Sequence, residues 1–176
     1  MKFLYVYISC CMLSTPSILF DFDLDVDTSA WRIVDDVVMG GRSNGQFEMT
    51  KEGHGLFHGF VSLANNGGFS SVRYRFKEKD IKDFTKVIIR LKGDGNRYQF
   101  RVKSSSYDRY SYIEYFKTNG EWQTIEIALE EMYPTFRGMK LRMPNFPAEK
   151  LGEIAFLIGN KEEQSFQLSI DYIQLQ

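Results

Sequence analysis

A chain of 176 residues, 43% of them hydrophobic and 15% aromatic, is long enough to fold as one domain around its own core. These values exclude disorder for most of the chain, and a core of this size needs no metal ion or disulfide to be stable. The 22 basic and 23 acidic side chains give a formal net charge of -1, which excludes a globally basic surface. We therefore expect no nucleic-acid partner, although these totals are compatible with a local basic patch.

The amino-terminal segment has the outline of a short signal peptide. Lys2 precedes an apolar run over residues 3–13, and small polar residues follow up to Ser17, where we expect cleavage. We divide the chain into a predicted signal peptide, residues 1–17, and a single domain, residues 18–176, and expect export to the periplasm or envelope. A cytoplasmic chain whose first strand begins here is the alternative. A mitochondrial presequence is less favoured, because the segment contains no arginine.

The sequence predicts neither a transmembrane segment nor a disulfide between distant parts of the fold. The run over residues 3–13 is far shorter than the about 18 residues that cross a bilayer, so we expect no transmembrane segment. Cys10 and Cys11 are adjacent, so they cannot bridge distant parts of the fold or supply spaced metal ligands. The domain that follows contains no cysteine, which excludes disulfides and thiol chemistry there.

The sequence of the domain has the pattern of consecutive short β-strands. Apolar residues and aspartates alternate from Phe20 to Asp27, which predicts a half-buried strand with one solvated face. Aspartates on such a face lie about 7 Å apart, which favours a solvated edge over a calcium site. Nine further runs follow, over residues 46–50, 55–62, 69–76, 86–92, 97–103, 110–116, 122–128, 153–159 and 165–175. About ten short strands predict an antiparallel β-sandwich or jelly roll.

Two connections carry turn signals. Asp94 and Gly95 lie between two alternating runs, and Asp-Gly adopts the positive φ of a tight turn, so we expect a hairpin over residues 92–96. Three of the four prolines fall within residues 129–147. This segment therefore predicts a long loop that crosses between the sheets, with one helical turn over residues 129–132.

Catalytic groups do not converge in the sequence. His54 and His58 fall on one face of a strand without a third ligand, so we expect satisfied or exposed histidines. Asp35 and Asp36 are adjacent, and adjacent strand residues point to opposite faces, so they are not expected to share a substrate. The sequence has no serine elbow and no nucleotide-binding glycine loop. We therefore predict no catalytic residue, no metal and no cofactor, in a protein that is not an enzyme; a reductase or hydrolase is the weaker alternative.

Two glycine-rich loops flanked by aromatic residues are the main candidates for a functional surface. One runs from Trp31 to Ser43 and the other from Asn65 to Arg73. Paired glycines allow positive φ and close backbone approach, and neighbouring side chains such as Asp36 are suited to bond the freed amides. The alternative is that both loops are structural corners of a sandwich.

The first loop resembles the signature W-x(4)-D-x-V-M-G-G-x-S of the NADH:ubiquinone oxidoreductase (respiratory complex I) intermediate-associated protein family. The matching residues are Trp31, Asp36, Val38, Met39, Gly40, Gly41 and Ser43. Later landmarks follow in the family's order: Phe57, Gly59, Asn66 to Phe69, Gly93 to Gly95 with Tyr98, Trp122, Pro134 with Phe136 to Gly138, Ile154 to Ile158, and Phe166 to Ile173. The resemblance covers residues 19–176.

This resemblance implies a galactose-binding-domain-like β-sandwich with a non-enzymatic binding or assembly role. Family members are similar to chaperone-like factors that hold intermediates during complex I assembly, so the implied partner is a protein, either an assembly intermediate or an envelope protein. Because the implied fold is widely used for sugars, a carbohydrate-binding module of the cell envelope is the alternative. Its expected feature is an exposed Trp31 or Trp122.

We place the predicted binding surface on the two glycine-rich loops and the loop around Asp94. Arg42 and Arg73 are candidates for contacts to anions, and Asp36 and Asp94 for orienting loop amides. The aromatic residues Tyr107, Tyr110, Tyr112, Tyr115 and Phe116 are partner anchors or, alternatively, core residues. The candidate binding residues are Trp31, Asp36, Met39, Gly40, Gly41, Arg42, Ser43, Asn66, Gly67, Gly68, Phe69, Arg73, Gly93, Asp94, Gly95 and Tyr98.

Overall fold

The computed structural model describes residues 15–176, which form two packed antiparallel β-sheets. The strands are β1 Ser17–Asp21, β2 Trp31–Asp35, β3 Asn44–Met49, β4 Gly55–Val61, β5 Ser70–Asp80, β6 Lys86–Gly93, β7 Arg97–Lys103, β8 Ser111–Lys117, β9 Trp122–Ala128, β10 Tyr133–Phe136, β11 Met139–Lys140, β12 Lys150–Ile158 and β13 Gln164–Leu175. Three short 3₁₀ helices span Asp36–Met39, Ala64–Asn66 and Leu129–Glu131. The predicted all-β sandwich is confirmed, whereas most of the predicted signal peptide, residues 1–14, lies outside the described residues.

The long carboxy-terminal strand β13 organises the six-stranded sheet. The strand order is β3-β4-β13-β6-β9, and β1 also pairs with β13. On one side of β13, β4 pairs with residues 164–170 and β1 with residues 172–175, so β1 continues the line of β4. The seven-stranded sheet has the order β11-β10-β8-β7-β12-β5-β2.

The core between the sheets is rich in aromatic rings. Phe57, Phe100 and Phe156 are fully buried. Near the sheet edge, the Trp31 ring of β2 stacks on Tyr74 of β5 and on Phe47 of β3, at 5.1 Å between centroids in both pairs. Trp31 therefore joins the two sheets as a core residue, 4% exposed, and is not the exposed ring that a sugar would need.

All nine strands predicted after residue 45 are present, two of them with the predicted bounds, 97–103 and 122–128. The prediction of a strand from Phe20 to Asp27 is wrong beyond Asp21. The backbone N–H of Asp25 donates to the Asp23 carboxylate at 2.9 Å, and the N–H of Val26 donates to the Asp23 carbonyl at 3.3 Å. Aspartate side chains that bond their own backbone favour turns over strands, which is why the alternation does not continue as a strand.

The predicted hairpin over residues 92–96 is also wrong. β6 pairs with β13 and β9, whereas β7 pairs with β12 and β8, so this segment crosses from one sheet to the other. Gly95 does adopt a positive φ of 89°, as expected for Asp-Gly. The carboxylate of Asp94 accepts a hydrogen bond from the backbone N–H of Gln167 at 2.8 Å, which anchors the crossing to β13.

The predicted long loop over residues 129–147 is only partly a loop. The expected helical turn is present as the 3₁₀ helix Leu129–Glu131. Two short strands follow, β10 against β8 and β11 against β10, and they widen the seven-stranded sheet at one edge. Prolines occur at sheet edges and strand ends, so their clustering here did not exclude strands.

Candidate functional site

Asp36 joins the two predicted glycine-rich loops. Its carboxylate is buried and accepts hydrogen bonds from the Ser43 N–H at 3.0 Å, the Ser43 hydroxyl at 2.5 Å, the Gly68 N–H at 2.6 Å and the Phe69 N–H at 3.2 Å. Burial alone would raise the pKa of Asp36, but these donors, the Ser43 hydroxyl first, outweigh it and lower that pKa below its ordinary value. We call residues 36–43 and 66–69 the Asp36 junction.

The glycines of the Asp36 junction have different local requirements. A Cβ atom on Gly41 would lie 2.3 Å from Asp36 Cγ, and one on Gly67 would lie 2.5 Å from Asp36 Oδ2. Gly40 has open space around it but a left-handed φ of 90°. Gly41 and Gly67 are therefore fixed by close packing and Gly40 by backbone conformation. Atoms of the junction itself therefore fill the space around the Asp36 carboxylate.

The carboxylates of Asp35 and Asp36 accept hydrogen bonds from different groups, as expected for adjacent residues that point to opposite faces. The Asp35 carboxylate accepts hydrogen bonds from the Gly45 N–H at 2.8 Å and the Ser70 hydroxyl at 2.5 Å. None of these partners is shared with Asp36 among the described residues. The two carboxylates therefore do not form an acid–base pair.

The predicted site residues are not brought into one surface. The first and second loops contribute to a groove over the seven-stranded sheet, which is lined in part by Met39, Gly68, Phe69 and Arg73. The Asp94 loop contributes to a separate cavity, lined in part by Gly93 and Asp94. The sequence thus placed on one surface residues that the fold separates.

Three other candidates lie outside both concavities. Tyr98 is fully buried, and its hydroxyl donates to Asp94 at 3.1 Å. Burial raises the pKa of the Tyr98 hydroxyl, and the neighbouring Asp94 carboxylate adds to this. Arg42 is exposed but lines neither the groove nor the cavity, and Asn66 is exposed with a positive φ of 60°.

The groove over the seven-stranded sheet, which we call the sheet groove, has a volume of about 820 Å³. Residues of all seven strands line it, from Val34 of β2 to Lys140 of β11. With strands about 4.8 Å apart, the groove extends roughly 29 Å across the sheet. It is therefore long enough for an extended polymer rather than a single small molecule.

The sheet groove is strongly basic in a chain that is nearly neutral. Among its described lining residues six are basic and one is acidic: Arg73, Arg101, Lys103, Arg109, Arg137 and Lys140 against Glu153. Removing these from the 22 basic and 23 acidic side chains of the chain leaves 16 basic and 22 acidic elsewhere. The charge asymmetry favours negatively charged ligands at this face.

Glu153 is held in place by two cations. Arg75 Nε lies 2.6 Å from Glu153 Oε2, and Lys103 Nζ lies 3.2 Å from Glu153 Oε1. The side chains of Glu153 and Lys103 are 3% and 9% exposed, so this is a buried, doubly paired carboxylate. Both of its oxygens are engaged, which leaves it little capacity to neutralise the other cations of the groove.

Arg73 and Arg101 flank Ala155 in one row across the sheet. In the strand register, Ala155 of β12 pairs with Arg73 of β5 on one side and with Arg101 of β7 on the other. Arg101 donates to Gln99 Oε1 at 3.1 Å and Thr135 Oγ1 at 3.4 Å, both neutral acceptors. Within residues 15–176, neither arginine forms an ion pair with a carboxylate.

The pKa shifts of the two arginines agree with this arrangement. Burial first, and repulsion from Arg73 second, lower the pKa of Arg101 to about 10. Burial also lowers the pKa of Arg73, against an attraction from Glu153. Both guanidinium groups are therefore placed where a cation is disfavoured unless an anion joins it.

The aromatic rings of the sheet groove carry cations over their faces. The pairs are Arg97 over Tyr115 at 4.5 Å, Lys140 over Tyr133 at 4.6 Å, and Arg137 and Arg109 over Phe136 at 5.3 and 5.6 Å from the ring centroids. Such contacts hold the cations near the groove through attraction to the ring quadrupole.

A smaller cavity of about 550 Å³ lies against the six-stranded sheet. It is lined by His54 and Trp122, whose ring centroids are 4.6 Å apart. Arg90 lies over the Trp122 ring at 5.5 Å and pairs with Asp171 at 2.9 Å. Trp122 is half-buried, so it is the more accessible of the two tryptophans.

The histidines have carboxylate neighbours on the six-stranded sheet. His54 Nδ1 lies 3.5 Å from Asp171 Oδ1, and His58 Nε2 lies 3.2 Å from Glu48 Oε1. Over residues 15–176, no cluster of three or more histidine, cysteine, aspartate or glutamate side chains is placed to hold a metal ion. The same range has no helix that is long and apolar enough to span a membrane.

The aromatic anchors predicted between residues 107 and 116 divide by face. Tyr112 and Phe116 are buried in the core, and Tyr110 packs against it. Tyr107 is 92% exposed, while Tyr115 lines the sheet groove. The alternative that these residues pack in the core is therefore confirmed for Tyr110, Tyr112 and Phe116.

The basic floor of the groove was missed by the sequence prediction, although a signal for it exists. In β7, the polar residues Arg97, Gln99, Arg101 and Lys103 alternate with Tyr98, Phe100 and Val102. This period of two shows that the polar residues share one face. What the chain alone does not show is that β12 lies next to β7, with β5 beyond it, and that these strands add Glu153 and Arg73 to the same face.

Comparison with known proteins settles the family. The family profile of Complex I intermediate-associated protein 30 (CIA30) matches residues 20–170. The chain belongs to this family. It is 24% identical to "Complex I intermediate-associated protein 30, mitochondrial" of Drosophila melanogaster, over 90% of this chain and 62% of that protein. The Mus musculus protein of the same name is 23% identical, over 92% of this chain and 56% of that protein. The chain thus covers less than two thirds of these curated relatives.

Solved structures similar to this chain show the same fold. A family 11 carbohydrate-binding module from a cellulosomal cellulase of Clostridium thermocellum superposes with a TM-score of 0.72 and 16% identity, covering 93% of this chain and 95% of that one. A family 29 carbohydrate-binding module gives a TM-score of 0.53 at 10% identity, covering 93% and 92%. At such identities the likeness establishes a galactose-binding-like β-sandwich and no more.

Proposed function

We propose that this CIA30-family chain is a non-enzymatic protein-binding module that holds a partner in the sheet groove. The observation that carries the proposal is an open, basic groove across seven strands in which Arg73 and Arg101 have no carboxylate partner within residues 15–176. Glu153, the acidic residue among the described lining residues, is bonded to Arg75 and Lys103 and is not available as a free acid or base. The arrangement therefore supports binding rather than acid–base chemistry.

The family supports a protein as the partner. The Drosophila and mouse relatives are named for association with intermediates of complex I. A groove of roughly 29 Å accommodates about nine residues of an extended polypeptide at about 3.3 Å per residue. We infer an assembly-type role in which the groove holds an extended segment of another protein.

Photo-crosslinking from the groove tests this function. A photoreactive residue at Met39 or Lys140, both exposed at the groove, is expected to crosslink a defined protein partner in the native host. The matched control carries the same residue at Tyr107, which is exposed but does not line the groove. Ala155→Trp, which fills the floor between the arginines, is expected to abolish the groove crosslinks.

Thermal melting first establishes that Ala155→Trp is folded. If that variant unfolds, Lys140→Glu at the exposed rim serves as the second blocking variant. Groove crosslinks that equal those from Tyr107, or that survive in a folded blocking variant, would contradict the proposed function.

The cellular location determines where the partner search begins. From the sequence we propose export through a cleaved leader over residues 1–17, while the mitochondrial names of the relatives support the less favoured alternative. Fractionation with mass determination of the mature amino terminus tests this. We expect cleavage near Ser17 and recovery outside the cytoplasm. An intact amino terminus in a respiratory-complex fraction would contradict export and direct the search to complex I intermediates.

Carbohydrate binding is the second candidate function, favoured by the half-buried Trp122 in its cavity on the six-stranded sheet. Trp122 lies beside the polar lining residues Glu52, Lys92 and Asp94, a combination suited to ring stacking and hydroxyl recognition. Since Trp31 is buried, a change in indole fluorescence on adding a glycan reports mainly on Trp122. Fluorescence that stays constant across a panel of neutral and acidic glycans would exclude this candidate.

A further inference from the structure

We propose that the segment held in the sheet groove is an acidic polypeptide, and that one of its carboxylates bridges Arg73 and Arg101 across Ala155. This inference rests on the proposed function and names the chemistry of the partner. It assigns the two arginines a joint role as a carboxylate clamp at the centre of the groove.

The row of residues in the sheet provides the geometry of this clamp. Because Arg73 and Arg101 each pair with Ala155 in neighbouring strands, their Cα atoms are about 10 Å apart, two strand spacings. Between them, the buried Ala155 carries only a methyl group, so no bulky side chain separates the two arginines. Two guanidinium groups can therefore approach a carboxylate from opposite sides, and each offers a planar fork of donors that matches its oxygens.

The electrostatics of the free protein favour an incoming anion. Arg101 is bonded to Gln99 and Thr135, and Arg73 Nε has the Ser71 hydroxyl as an acceptor at 3.4 Å. These acceptors are neutral, so they satisfy donors without balancing the two like charges. A carboxylate between the guanidinium groups would remove their mutual repulsion and replace part of the solvation lost on burial.

The rings of the sheet groove bring further cations to it. Cations lie over Tyr115, Tyr133 and Phe136 at 4.5 to 5.6 Å from the ring centroids. These cations offer additional contacts to acidic side chains of a partner.

Aliphatic side chains complete the floor of the sheet groove. Val34, Ile113 and Leu157 line it beside the arginines, and Met39 is 61% exposed at its end. Such a surface suits aliphatic side chains of a partner, whereas sugar hydroxyls would find few acceptors there. We expect a segment in which acidic and aliphatic residues are mixed.

Fluorescence anisotropy with defined probes tests the inference. The first probe is a labelled peptide of about nine residues in which glutamate alternates with alanine, long enough to cross the groove. Its control has glutamine in place of every glutamate. Labelled polygalacturonate, an acidic polysaccharide, is the third probe. We expect saturable binding of the glutamate peptide, weakened by added salt, and at least about tenfold weaker binding of the other two.

Charge-removing variants then assign the binding to the clamp. Arg73→Gln and Arg101→Gln are each expected to weaken binding of the glutamate peptide by about tenfold or more. The matched control, Lys51→Gln with Lys82→Gln, removes two exposed charges outside the groove and is expected to change the affinity less than about twofold. Thermal melts establish that every variant is folded.

Three outcomes would overturn the inference. They are failure of the glutamate peptide to bind, equal loss of affinity in the lysine control, and preference for polygalacturonate, which would instead assign an acidic glycan. Crosslinks from the groove that Ala155→Trp abolishes but Arg73→Gln with Arg101→Gln leaves intact would retain the proposed function while rejecting the acidic partner. Crosslinks that no folded blocking variant affects would reject the proposed function itself.

Discussion

The Asp36 junction and the sheet groove differ in how their buried charges are compensated. At the junction, one carboxylate receives four hydrogen bonds from two loops of its own chain. In the groove, Arg73 and Arg101 share a row with Ala155 and have no carboxylate partner within residues 15–176. From this contrast we infer that the family signature around Asp36 stabilises the fold, and we propose the two unpaired arginines as the surface that binds a partner.

Asp36→Asn is expected to have the largest effect on stability. An amide NH₂ group in place of a carboxylate oxygen would face N–H donors of the junction, and we expect a loss of about 4 kcal/mol in unfolding free energy. Urea denaturation measures this loss. Asp25→Asn, at an exposed aspartate, is the control and is expected to change stability by less than about 0.5 kcal/mol.

The effect of Asp36→Asn on the unfolding free energy depends on pH in a defined direction. The folded-state pKa of Asp36 is lowered, so its contribution is fully present above the unfolded pKa of about 3.9 and is lost as the pH falls through the folded value. The stability gap between the original chain and Asp36→Asn should therefore narrow below pH about 4. A gap that is independent of pH would contradict an ionised Asp36.

Gly41→Ala is expected to cost less, about 3 kcal/mol, because its Cβ would displace the Asp36 carboxylate. The matched variant Gly40→Ala has free space and only a left-handed φ, so we expect a cost of about 1 kcal/mol. Thermal and urea unfolding compare the two. Equal losses would mean that the contact between Gly41 and Asp36 does not control the packing of the junction.

The double variant Arg73→Gln with Arg101→Gln should change unfolding free energy by less than about 1 kcal/mol. It removes two repelling charges that are bonded to neutral acceptors, so folding loses little while ligand affinity falls. Urea denaturation without ligand provides the measurement. A loss of unfolding free energy as large as that of Asp36→Asn would show that the two arginines stabilise the fold. That result would contradict the difference drawn here between the junction and the groove.

Arg42→Ala is expected to have the smallest effect, less than about 0.5 kcal/mol. Arg42 is exposed and does not line the sheet groove, so binding of the glutamate peptide should also be unchanged. Anisotropy and thermal melting measure both properties. Weaker peptide binding would extend the anion-binding surface from the groove to the junction, as the sequence alone suggests for this arginine.

The sequence predicts the strands well but their partners poorly. The alternation in β7 and β9 identifies both strands to the residue, because period-two hydrophobicity is a local property. Pairing is not local: Asp94 and Gly95 have hairpin chemistry, yet the chain crosses between sheets there. The aspartates after Asp21 alternate as in a strand but form turns, because their side chains bond the nearby backbone.

The candidate site could be predicted only in part for the same reason. The family signature identifies Asp36 and its glycines, and the structure shows the hydrogen bonds that the sequence suggested for Asp36. The sequence predicts Arg73 as an anion contact, and Arg73 lines the groove. Arg101 was missed, because its position beside Arg73 depends on β12 lying between β5 and β7, which no local pattern reveals.

The position of β13 in the six-stranded sheet bears on how the chain folds during synthesis. β1, β4 and β6 all pair with this last strand, and Ser17 pairs with Leu175. High contact order of this kind slows folding, since distant segments must meet before their contacts stabilise the sheet. Until residues 164–175 leave the ribosome, the edges of β4 and β6 that face β13 stay open to aberrant strand pairing. The nascent chain is therefore expected to depend on chaperones.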